Sequence, residues 1–263
     1  MKFKRNGHIV RRLCLALAAL WLGSAQASSE EIVIFDDRLE KPGESGYEVH
    51  LNYESHARRE PTYPGETPQQ GIVRFMPELS YGIANSWELG LHLPMSSKPG
   101  ETTVNGFKAR LTNVNLREAD WGAWFYGANY ELSYFDKRAS EARTVGEVLG
   151  IIGLRRGGWL FVLNPILGRE LSSNMPELDK QLHRDINFKA AKTIAEHLVL
   201  GIEHYSQVGK FQRPRFGGES AQITYAVVEF KTRSRFEFHL GLGHGWNDAI
   251  DKFVVKTIVG IPF

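Results

Sequence analysis

From Tyr47 onward the chain alternates between apolar and polar positions. Tyr47, Val49, Leu51 and Tyr53 share one side of an extended segment, and Glu48, His50, Asn52 and Glu54 share the other. Successive side chains of a strand point to opposite faces, so this period of two predicts a strand over Tyr47–Glu54. The pattern returns over Gln70–Ala84, Trp87–Met95, Val104–Val114, Trp121–Phe135, Thr144–Arg155, Trp159–Glu170, Lys180–Lys192, His197–Ser206, Ser220–Phe230, Arg235–Trp246 and Lys252–Phe263, making twelve strands in all. Long connections such as His56–Gln69, Ser96–Thr103 and Gln207–Glu219 alternate with short turns such as Asn85-Ser86 and Arg156-Gly157-Gly158. Both termini fall on the short-turn side. Two strands break the rule: Leu149, Ile151 and Ile166 put apolar groups on the side that is otherwise polar.

The sign of the alternation chooses between water and lipid. A soluble barrel fills its interior with its apolar face. Here the polar face carries ionised groups and glycine, while Tyr47, Tyr53, Trp87, Trp121, Tyr134, Trp159 and Trp246 stand near strand ends on or beside the other face, at the heights of an aromatic girdle. Closure removes the unpaired sheet edge that lipid would penalise. The expected fold is therefore all-β: a closed antiparallel up-and-down transmembrane β-barrel of about twelve strands, spanning residues 47–263. Its last strand, KFVVKTIVGIPF, is amphipathic and closes on Phe263. That ending resembles the signal read by the barrel assembly machinery of Gram-negative outer membranes. The resemblance implies that this machinery is a partner, through Phe263.

The first residues change the picture of location and charge. Lys2, Lys4, Arg5, Arg11 and Arg12 precede an apolar run, Leu13–Leu22, and then Ala25-Gln26-Ala27. This is the three-part pattern of a secretory signal peptide over residues 1–27, with cleavage expected after Ala27. The apolar run is too short to span a bilayer. The chain's single cysteine, Cys14, lies in that leader, so disulfides, thiol catalysis and Cys-ligated metal are excluded from the rest. Five of the 32 basic residues also belong to the leader, leaving 27 against 30 acidic ones, a net charge of −3. No nucleic-acid partner is expected from that balance. Residues 28–46 are acidic, with one apolar patch at Ile32–Phe35. They are read as a periplasmic segment; folding into the barrel mouth and adding a short strand are the other placements open to them.

Candidate chemistry lies on the polar face. Glu48, His50, Arg74, Glu78, Glu88, His92, Lys108, Arg110, Glu131, His183, Lys189, Glu237, His239 and Lys256 are expected to line the lumen. Ions there must be hydrated or paired. Either they select solutes along a narrow aqueous path, or they bridge the lumen and close it. No HxH or HExxH spacing occurs among the histidines, so neither a metal nor a cofactor is expected. One short motif suggests an enzyme: His204 and Ser206, two apart on one strand face, place an imidazole beside a hydroxyl. This resembles the H-x-S motif of outer-membrane phospholipase A and the lipid A deacylase barrel. Gln207 stands where those families have Asn, and Glu219 is the nearby carboxylate candidate.

A wider resemblance runs through YGIANSWELGLHLP (Tyr81–Pro94), LNPILG (Leu163–Gly168), LGIEHYSQVG (Leu200–Gly209) and GLGHGWNDAIDKFVVKTIVGIPF (Gly241–Phe263). Together these look like transporter-like proteobacterial outer-membrane barrels. That implies the Gram-negative cell outer membrane as the location, and outer-membrane lipid as a partner. It supplies no substrate. The sequence thus leads to a porin- or transporter-like barrel that passes or binds a small solute through a charged lumen. The alternatives are a lipid-modifying hydrolase using Ser206 and His204, and a structural barrel with a blocked lumen.

Overall fold

The computed structural model describes residues 32–54, 60–61, 63–67, 71–172, 182–210, 213–214, 220–233, 236–247 and 252–261. Its strands are β1 (Ser45–Glu54), β2 (Val73–Ala84), β3 (Trp87–His92), β4 (Met95–Lys98), β5 (Glu101–Val104), β6 (Gly106–Ala119), β7 (Gly122–Phe135) and β8 (Thr144–Arg156), then β9 (Trp159–Glu170), β10 (His183–Ala195), β11 (Leu198–Lys210), β12 (Arg213–Pro214), β13 (Gln222–Lys231), β14 (Glu237–Gly245) and β15 (Phe253–Ile261). β1 pairs antiparallel with both β2 and β15, so the sheet closes on itself. The wall has twelve strands in the order β1-β2-β3-β6-β7-β8-β9-β10-β11-β13-β14-β15. Neighbours in this wall are also neighbours in sequence apart from the closure, which is an up-and-down barrel. The leader expected over residues 1–27, Glu219 and Phe263 lie outside the described residues.

Two stretches differ from the sequence expectation. Ser96–Thr103 was expected as a loop, but β4 and β5 pair as a hairpin, and Met95–Ser97 also pairs with Val73–Phe75 of β2. Pro94 has no N–H to donate, so β3 stops at His92 and the strand resumes beyond the proline. Gly100, with φ of 83°, makes the turn. β11 likewise continues to Lys210, through residues expected to be loop.

The faces are disposed as the alternation requires. Leu89 and Tyr130 are 38 and 47 % exposed on the outer surface, while Glu88 is 6 % exposed. Exposed outward apolar side chains surround the barrel, among them Leu132, Phe161, Ile186 and Ile202. Tyr53, Trp121, Tyr134, Trp159 and Trp246 are exposed too. A soluble protein does not leave an apolar band of this extent in water. Inside, Lys189, Glu203 and Lys256 are buried at mid-height, so side chains and chain fill the bore there.

Candidate functional site: the lumen and the segment that crosses it

What fills the bore is partly the acidic segment that precedes β1. Its route follows from where the wall is apolar. Val114 of β6, Phe125 of β7, Leu149 and Ile151 of β8, Leu160 and Val162 of β9 and Ala191 of β10 form one buried cluster on the inner wall. Ile34 packs into that cluster and is itself buried, with Phe35 and Ile166 beside it. Burying one isoleucine contributes about 1.5–3 kcal/mol. Leu149, Ile151 and Ile166, the residues that broke the alternation, are thus the seat of a luminal segment. Residues 32–42, for which the sequence left the periplasm, the barrel mouth and a short strand open, run into the barrel from its short-turn end.

Polar contacts fix the segment along its length. Phe35 N donates to Asn164 Oδ1 at 2.9 Å, and Asn164 Nδ2 donates back to Phe35 O at 3.0 Å. The Arg110 guanidinium lies over the Phe35 ring, 4.7 Å from its centroid. Arg155 Nε donates to both oxygens of Asp37, at 2.8 and 2.9 Å. Arg38 pairs with Asp36 at 2.9 Å and with Glu229 at 3.2 Å. Lys256 Nζ donates to Ile32 O at 3.1 Å, and Glu40 N donates to Glu88 Oε2 at 2.8 Å. At the rim, Pro42 forms a parallel bridge with Gly82. A Cβ on Gly82 would lie 2.2 Å from Lys41 O, so the segment passes there only because the wall carries no side chain. Burial pushes the Asp36 carboxyl up, but Arg38 and Lys189 outweigh it and hold the group at about 2.

Two charged clusters flank the segment. In the first, Glu203 of β11 pairs with Lys256 of β15, and with Lys189 of β10 at 3.2 Å. Lys189 also pairs with Glu229 of β13, and His239 of β14 lies 3.4 Å from Glu203 and 3.5 Å from Glu229. Tyr205 donates to Glu203 at 2.9 Å. In the second, Glu78 of β2 pairs with Arg110 of β6, and Arg110 reaches Glu88 of β3 at 3.3 Å. His50 of β1 is 3.1 Å from Glu78, and His92 of β3 is 3.5 Å from it. Nearer the long-loop end, Lys108 pairs with Glu131 at 2.8 Å, and His183 with Glu147 at 3.1 Å.

Of the side chains expected at the lumen, His50, Arg74, Glu78, Glu88, His92, Lys108, Arg110, Lys189 and Lys256 are buried. Glu48, Glu131, His183 and His239 are half-buried. Glu237 is exposed near the short-turn rim, paired with Lys231. Sequence reasoning overlooked Glu203, Glu229 and Asn164. Their signal was parity: each alternates with outward neighbours, as Glu203 does with Ile202 and His204. The His204–Ser206 pair sits on the outer-facing side of β11. His204 Nδ1 is 2.8 Å from Thr224 Oγ1, and its ring lies 5.2 Å from that of Phe188. Trp246 Nε1 donates to the same Thr224 oxygen at 2.7 Å. The Thr224 contact turns this imidazole toward β13.

Comparison with solved structures places the fold. The chain is similar to the COG4313 outer membrane channel from Pseudomonas putida F1, with a TM-score of 0.57 at 14 % identity, covering 89 % of this chain and 100 % of that one. It is similar to the NanC porin, with a TM-score of 0.55 at 10 % identity over 82 % of this chain and 98 % of that one. It also resembles the KdgM porin, with a TM-score of 0.53 at 8 % identity over 83 % and 99 %. No protein-family model matches the chain, and no curated protein sequence matches it. At these identities the likeness is one of fold: a barrel of the kind outer-membrane channels use.

Proposed function

We propose that the protein is a porin-like barrel of the Gram-negative outer membrane, passing a small solute through a charged lumen that residues 32–42 obstruct. The leader over residues 1–27 delivers it to the periplasm, and the short-turn end faces that compartment. The observation that carries this reading is how the obstruction is attached. Residues 32–42 are held by side-chain hydrogen bonds, ion pairs and one bridge to Gly82, and are not woven into the wall. Withdrawing the segment leaves the twelve-stranded wall closed and its ionised groups facing an aqueous bore. Such groups set charge selectivity in a pore. The similar folds include two named as porins and one named as a channel, which agrees with the reading.

The buried ion pairs around Glu203 favour a second reading, a barrel closed for good. Liposome swelling separates the two. Vesicles holding the purified protein are expected to swell in isotonic solutions of small solutes, and to swell faster when residues 32–42 are deleted. Vesicles that stay unswollen with both forms would establish the closed structural barrel instead.

A further inference from the structure

The two charged clusters differ in balance. Around Glu203, the cations Lys189, Lys256 and Arg38 meet the carboxylates Glu203, Glu229 and Asp36, three against three. Around Glu78, the carboxylates Glu48, Glu78 and Glu88 outnumber the cations that act on them among the described residues, Arg110 and, on Glu48, Arg38 of the luminal segment. The register creates this excess: Glu48 sits directly opposite Glu78, and Glu78 directly opposite His92. Like charges set opposite each other are unfavourable unless something between them compensates. Arg38, the next cation along the segment, pairs with Asp36 and Glu229 and is only shared with Glu48.

The atoms at this point have the spacing of metal ligands. His50 Nε2 lies 3.1 Å from Glu78 Oε2 and 3.6 Å from Glu48 Oε2, and His92 Nδ1 lies 3.5 Å from Glu78 Oε2. Ligand atoms of Glu48, His50 and Glu78 all fall within 4.8 Å of one another. Around a tetrahedral Zn²⁺ with bonds of about 2.0–2.1 Å, ligand atoms stand about 3.3 Å apart. We infer that Glu48, His50 and Glu78 form a binding site for a divalent transition ion of the Zn²⁺ class on the inner wall of β1 and β2, with His92 of β3 beside Glu78.

A doubly charged ion offsets the carboxylate excess. Arg110, on the other oxygen of Glu78, acts as the outer partner that orients a ligating carboxylate. His50, Glu78 and His92 are buried and held by the wall, while the Glu48 side chain is 45 % exposed and gives an ion its approach. The Glu203, Glu229 and His239 set has similar spacing, but the ammonium groups of Lys189 and Lys256 already neutralise its carboxylates. This inference does not depend on solute passage.

The test uses the full-length processed protein without a polyhistidine tag, folded in detergent and stripped with chelator. Zn²⁺ is titrated by calorimetry, and Co²⁺ by its visible absorption. Wild type is expected to bind one equivalent, with the intense bands of four-coordinate Co²⁺. His50→Ala is expected to weaken binding at least about tenfold. Glu48→Gln, a change at the exposed edge, is expected to weaken it with the barrel intact by heat-modifiable mobility. His204→Ala, on the outer face, is expected to bind like wild type. No saturable binding by wild type, or undiminished binding by a folded Glu48→Gln, would overturn the site. Either failure leaves the conductance behaviour of the barrel unaffected.

Discussion

The side chain of Asn164 grips the backbone of Phe35 from both sides, accepting from its N–H at 2.9 Å and donating to its carbonyl at 3.0 Å. A wall residue thereby satisfies a peptide that has left regular structure, much as a neighbouring strand would. Asn164→Leu keeps the volume and removes both partners. A buried backbone group left unpaired costs about 1–3 kcal/mol, so the segment should be released more often. Cys14 is the chain's single cysteine and lies within the leader proposed over residues 1–27, whose removal would leave the reporter as the one thiol. An Ile34→Cys reporter, protected from a water-soluble maleimide in the parent, is expected to label several-fold faster with Asn164→Leu.

Gly82 offers a steric test of the same docking. Its Cβ position is 2.2 Å from Lys41 O and 2.5 Å from Glu40 O, both backbone atoms that have no rotamer to adopt. Gly82→Val should unseat the rim of the segment, since valine keeps strand propensity. The expected outcome is faster labelling at position 34 with unchanged heat-modifiable mobility. Protection equal to the parent's would show that the segment does not pass there.

Asp36 sets a pH limit on docking. Its carboxyl is held at about 2 when docked, against an ordinary value of 3.8. A depressed carboxylate contributes stability that is fully present above its ordinary value and is lost as pH falls through the depressed one. The shift corresponds to about 2 kcal/mol. Protection of the position-34 reporter, read by a pH-tolerant probe, should show no step from Asp36 between pH 5 and 8 and should fall below about pH 4. Asp36→Asn should weaken protection at pH 7 and flatten the acid limb.

Glu203 tests the buried network of the wall. It compensates Lys189 and Lys256 together, and all three are almost fully buried. Removing one member of a buried ion cluster typically costs about 3–5 kcal/mol, because the remaining charges stay uncompensated. Glu203→Gln is therefore expected to lower the temperature at which the folded band converts to the unfolded one on electrophoresis. Adding Lys256→Met should recover part of that loss.

The wall was legible in the sequence because a strand's period of two ties each residue to one face. Leu89, Tyr130 and Glu88 could be placed from parity alone. The lumen was legible only as a list of faces. Which charges meet across it depends on closure and depth, so Lys256 with Glu203, or Arg38 with Glu229, were not readable from local pattern. Pro94 hid a strand that resumes beyond it. The luminal segment left its trace in two places: in the apolar patch Ile32–Phe35, and in Leu149, Ile151 and Ile166, apolar residues on a polar face that needed something to cover them.

Single-channel recording in planar bilayers, comparing wild type with a variant lacking residues 32–42, tests the central claim most directly. The account predicts small or intermittent conductance for wild type and a larger, sustained conductance for the deletion, with both forms folded. Equal conductance in the two, or none in the folded deletion, would contradict it.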